Sequence, residues 1–250
     1  MGCLAHLERN FTSVGWFIPP YMHLGILSQI AAKIQVAGKQ YTQRDLQGAL
    51  ARLYEPEGLA AIVVHRYPLA PIIRDYKITI REAIEAHFMG LDHIAVGGLV
   101  AVIEGAGRRL AGQRNLPSGS VRDVFMTLAA DCKQESAARN IGAPDEVASM
   151  MDSFSAFACQ SFFANSKLYP FDDGTNRHGI AHGAYSDADY GNPINFYKTI
   201  AAVDFLTFVS SFRANISWLG PDLSESSMGL AAYYRELGLL RNRAWLYGSS

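Results

Sequence analysis

Apolar residues recur along this chain at helical spacing, and prolines, glycines and capping residues cut that pattern into short segments. The combination leaves little room for anything but an all-α bundle. Residues 22–36 carry the helical spacing. Thr42, with Asp45 three positions on, reads as a helix cap with a weak capping box. Pro56 suits a first helical turn, so the next helix is expected over 57–67, and Pro68 and Pro71 break the chain after it. Further helices are expected over 75–89 and 91–110. Gly97-Gly98 in the second allows close helix contact, and Arg108 and Arg109 stand near its C-terminal end. Ser120 caps a helix over 121–139, which Asn140-Ile141-Gly142 stops. Pro144 opens one running to about 165. Residues 168–175 read as a loop. A long helix is expected over 195–219, ended by Gly220-Pro221, and a last one over 224–247. The β-branched run Ile78-Thr79-Ile80 has no partner run with which to build a sheet. Pro68 and Pro71 separate an N-terminal helical region (1–70) from a bundle (71–220), and Gly220-Pro221 sets off a C-terminal helix (221–250).

Composition narrows the function classes. Hydrophobic residues make up 49% of the 250 residues and charged ones only 18%. That supplies a large core and a thin polar surface, so self-association is expected. The net charge of −1 excludes the broad basic face of a general nucleic-acid binder, so any RNA contact must be local. Lys167, Arg177, Lys198 and Arg213 are the cations that could form such a patch. Cys3, Cys132 and Cys159 are too few and too scattered for a disulfide framework or a zinc pattern. No run of about 18 uncharged apolar residues suggests a membrane span, and the start of the chain lacks a secretory pattern. A soluble, cytoplasmic protein is expected.

The stretch Asn176-Arg177-His178-Gly179-Ile180-Ala181-His182-Gly183 concentrates chemistry. Histidine exchanges protons near neutral pH. Arginine is always charged and offers a planar fork of donors that fits a phosphate. Together they supply what phosphodiester cleavage without a metal requires: a proton carrier, and a cation for the developing charge. On a helix, His178 and His182 share one face. Asn176 reads as the cap and Gly183 as the stop, giving a helix of about two turns. Its first turn would favour an anion through free N–H groups and the helix dipole.

Arg177 through His182 resembles the R-x-x-x-x-H motif of the HEPN superfamily, in the form with a polar residue directly after the arginine. Tyr190-Gly191-Asn192-Pro193 with the apolar helix after it, and Ala101-Val102-Ile103-Glu104-Gly105 upstream, are similar to a bacterial HEPN-like group, and the similarity spans residues 78–219. The resemblance implies a helical bundle of HEPN type, here with an additional N-terminal helical region. It implies metal-independent cleavage of single-stranded RNA, leaving 2′,3′-cyclic phosphate ends, without a cofactor. It implies a homodimer that brings two motifs to one cleft, in a toxin or anti-phage setting with an antitoxin or defence-system partner. Arg177 and His182 would be catalytic with His178 beside them, and Asn176 and Glu104 would support them. The same superfamily includes members that bind RNA or nucleotides, or form dimerising scaffolds, without cutting.

Each residue also has a plainer reading. Arg177 has three candidate ion-pair partners: Asp172, Asp173 and Glu104. His182 at a helix end is placed to bond a carbonyl. Glu104 lies inside an apolar helix, where an unpaired carboxylate is costly, so it either pairs in the core or holds Arg177 in position. The i, i+4 histidines also have the spacing of helical zinc ligands, with Asp172 or Asp173 as a third. Against zinc, Gly179 stands where the metalloprotease pattern wants glutamate.

Overall fold

The computed structural model describes residues 4–214 and 216–244, which form eleven α-helices with no strand among them. In chain order they are α1 (Ala5–Ser13), α2 (Leu24–Ala37), α3 (Gln43–Leu53), α4 (Pro56–His65), α5 (Lys77–Phe88), α6 (Asp92–Gln113), α7 (Val121–Arg139), α8 (Pro144–Phe157), α9 (Arg177–Ala181), α10 (Pro193–Ser211) and α11 (Glu225–Ala244). The all-α expectation holds. The caps are those the sequence suggested: Thr42 with Asp45 as a two-way capping box, Ser120 accepting from the Asp123 N–H, and prolines opening α4 and α8. No helix among the described residues is long and apolar enough to cross a membrane.

The axle of the fold is α10. Every residue from Ile194 to Ser211 is buried, so this helix touches protein all round. It packs against α6 on one side and α3 on another. Its serine and threonine hydroxyls are satisfied within the helix: Thr199, Thr207, Ser210 and Ser211 each donate to a carbonyl one turn back. The remaining polar side chains need outside partners. Asp204 accepts a 2.7 Å hydrogen bond from the Tyr67 hydroxyl. Burial pushes its carboxyl up to about 8, against the lowering effect of that bond. Aromatic packing closes the core at this level, with Phe154 stacked on Phe205 at 3.7 Å and Phe17 edge-on to Phe154 at 5.1 Å. One core cluster runs from Leu4 to Leu237.

Outside the motif, three elements differ from the sequence expectation. The first helix, α1, lies where none was expected. Leu7 and Phe11, one turn apart, are the buried stripe that docks it on α8 and α2. Next, α8 does not continue as α-helix to 165. Its end widens into a π-turn over Ala158–Phe162. Lastly, α10 stops at Ser211 rather than 219, because Trp218 folds back onto Phe208 (4.9 Å) and Phe212 (4.8 Å). A continued helix would carry that ring roughly two turns away. Position 215 and residues 245–247 of the expected last helix lie outside the described residues.

Candidate functional site

The chain enters the motif across a buried polar floor. Asp173 is 4% exposed and Lys198 of α10 is 0% exposed, and their charged ends meet at 2.9 Å. The lysine also donates to Gln43 Oε1 of α3 at 2.8 Å. The Tyr169 hydroxyl donates to Asp173 at 2.7 Å, and the Thr175 hydroxyl donates to its other oxygen. Asn195 Nδ2 then ties the backbone oxygen of Asp173 (2.6 Å) to the Thr175 hydroxyl (2.8 Å). Burial alone would raise the Asp173 carboxyl. The Lys198 ammonium and the two hydroxyls outweigh it and hold the group below the usual carboxylate range. Burial depresses Lys198, and the carboxylate offsets only part of that. Between Asp173 and Thr175 the backbone turns through Gly174 at φ +66°, where a Cβ would lie 1.9 Å from the Asp189 oxygen.

Asn176 converts this floor into a helix start. Fully buried, it accepts from the Gly179 N–H at 2.9 Å as the cap of α9. Its Nδ2 donates to the Ser161 and Ala164 oxygens at 2.9 and 3.0 Å, which ties the cap to the end of the π-turn and the residues after it. Gly179 is required by packing. The Tyr185 ring lies so close that a Cβ there would meet it at 2.2 Å. The helix runs only five residues, shorter than the two turns expected, and Gly183 leaves it at φ +66°. A helix this short has little dipole, so side chains, not the helix end, must hold any anion.

Above the floor, Arg177, His178, His182 and Glu104 come together. Arg177 Nε donates to Glu104 Oε2 at 2.8 Å, and Nη2 donates to the same oxygen. Of the three candidate partners for Arg177, Glu104 is therefore the one used. It bridges α9 to α6, 73 residues away, and also receives Arg108 at 3.4 Å. On the opposite edge, Arg177 Nη1 donates to His182 Nε2 at 2.7 Å and lies 3.5 Å from His178 Nδ1. The two imidazoles lie 5.5 Å apart at 31°. Both line an open depression of about 360 Å³ with Asn165, Ser166 and Ala184. Burial, then the charge of Arg177, then His182 hold His178 below the usual histidine value. The Arg177 side chain is 13% exposed and His178 is half-buried, whereas His182 is exposed.

Two cations of the expected basic patch do not belong to it. Lys198 is sealed in the floor, and Arg213 is spent on Glu135 and Asp131 of α7. Lys167 is exposed, next in sequence to Ser166 of the depression. Of the aspartates weighed as a third zinc ligand, Asp173 is committed to Lys198, and Asp172 is exposed. Among the described residues no group of three or more His, Cys, Asp or Glu is placed to hold a metal ion. The sequence reading missed the floor. Its one available signal was a lone lysine inside the apolar run of α10, which demands an acidic partner. No family model matches the chain, and no curated protein or solved structure matches it.

Proposed function

We propose that the depression over α9 is the active site of a HEPN-type endoribonuclease that cleaves single-stranded RNA without a metal. The observation that carries this reading is the 2.7 Å contact between Arg177 and His182, which sets a fixed cation and a proton acceptor within the span of one phosphate. The 2′-hydroxyl loses its proton to His182 and attacks the adjacent phosphorus. The bond from the 2′-oxygen to phosphorus forms as the bond to the 5′-oxygen breaks. Arg177 neutralises charge on the phosphate oxygens, with Glu104 holding it in place. A second imidazole, His178 or one from the facing protomer of a homodimer, returns a proton to the leaving 5′-oxygen. The products are a 2′,3′-cyclic phosphate and a 5′-hydroxyl, and DNA is spared because it lacks the nucleophile. A toxin or anti-phage role, with an antitoxin or defence-system partner, belongs to the same proposal.

A second reading has its own support. Arg177 is largely buried and its charge is met by Glu104. A pair of that kind equally serves a non-catalytic HEPN-like protein, in which it clamps α9 to α6 beneath an RNA-binding or dimerising face. Incubating single-stranded RNA in chelator with wild type, Arg177→Ala and His182→Ala, then analysing the ends, separates the two. The ribonuclease reading expects cyclic-phosphate ends from wild type and a loss of roughly 10²-fold or more in each variant. No cleavage, or cleavage that neither substitution changes, leaves the scaffold reading standing.

A further inference from the structure

Arginine has donors and no acceptor. The contact of Arg177 Nη1 with His182 Nε2 at 2.7 Å therefore fixes the state of the neutral histidine. Nε2 is the acceptor, its lone pair is engaged, and the ring proton sits on Nδ1. A free imidazole leans the other way, toward a proton on Nε2. The far edge of the guanidinium is bound to Glu104 through Nε at 2.8 Å and through Nη2, so it does not swing away freely. His178 Nδ1 lies 3.5 Å from Nη1, too distant to compete for the same hydrogen.

We infer that the site occupies itself at rest: Arg177 caps the basic nitrogen of His182, and a phosphate entering the depression uncaps it by taking the Nη1 donor. The functional meaning rests on the ribonuclease reading; the capping does not. The exchange replaces an arginine-to-imidazole bond with an arginine-to-phosphate bond, in which donor and acceptor are both charged and the attraction is stronger. Nε2 is freed at the moment a phosphate is in place, so the base becomes competent only with substrate bound. The depression at the imidazoles gives the anion its way in.

The test is the tautomer of His182, read by long-range proton–nitrogen NMR on the full chain with labelled histidine. The spectra are taken at alkaline pH, where imidazoles are neutral, and the signal is assigned by its loss in His182→Gln. The expected wild-type spectrum shows Nε2 as an acceptor nitrogen and the proton on Nδ1. In Arg177→Ala the ring moves to a mixture dominated by the proton on Nε2. Saturating inorganic phosphate moves wild type the same way, and chloride at matched ionic strength does not. A wild-type ring already protonated on Nε2 overturns the capping. A capped ring that phosphate leaves unchanged overturns the uncapping, and this arm needs no variant to fold. Intact capping with no RNA cleavage removes the ribonuclease reading alone; cleavage by a protein whose resting ring is uncapped removes this inference alone.

Discussion

Two acid–base pairs flank the start of α9, and they differ in their access to water. In the floor, Lys198 and Asp173 have side chains 0% and 1% exposed, and each is bonded on every side by protein. In the cluster above, Arg177 and Glu104 are 13% and 25% exposed, and the arginine edge away from Glu104 meets two imidazoles that line an open depression. The chemistry of the partners is alike, yet the roles separate. A sealed pair has no capacity left for a ligand, so its work is to hold the backbone. A half-open pair keeps donors that a phosphate can claim. A cation near a motif counts toward a site only when its opposite edge is held by groups that reach an open surface.

The sharpest way to break this comparison is to remove the floor's cation. Lys198→Met leaves the buried Asp173 carboxylate unpaired and should cost about 3–5 kcal/mol in chemical denaturation. Adding Asp173→Asn should recover much of the loss. Asp173 is held below its ordinary value of 3.8, so its stabilisation is present above that pH and is lost as pH falls through its lower folded value. Asp204 provides the opposite case, a buried acid with a tyrosine where Asp173 has a lysine. Its folded value of about 8 exceeds the ordinary 3.8, so stability should decline as pH rises between them, by about 1.4 kcal/mol for each pH unit. Asp204→Asn should flatten that slope in melts taken across the range.

Asn176 joins the two layers. Asn176→Ala removes the cap of α9 and the donor to two carbonyls of the π-turn, so a loss of about 2 kcal/mol is expected, with cleavage falling alongside. The smallest structural effects belong to the upper cluster. His182→Ala should change stability by about 1 kcal/mol or less, because the ring is exposed, and Arg177→Ala should cost less than Lys198→Met, because Glu104 is partly open to water and keeps Arg108. A loss there as large as that of Lys198→Met would erase the distinction between floor and site.

Helix type was legible in the sequence because caps and prolines are local signals, and Thr42, Ser120, Asn176, Pro56 and Pro144 act where they were expected to. The end of α10 was not legible, because Trp218 returns to Phe208 and Phe212 through tertiary packing. The meeting of Arg177, His178 and His182 was legible because they lie within one turn and a half of chain. The partner of Arg177 was narrowed to three acids, and only the placing of α6 against α9 selects Glu104. Lys198 was misread as surface charge for the same reason. Its partner lies 25 residues away in sequence, and nothing local shows that α10 is buried all round.

The measurement closest to the central claim is single-turnover RNA cleavage by His182→Ala, set beside its melting temperature. The account predicts a rate at least about 10²-fold below wild type at an essentially unchanged melting temperature. A variant that cleaves at the wild-type rate, or one whose loss only tracks the fraction unfolded, would contradict it.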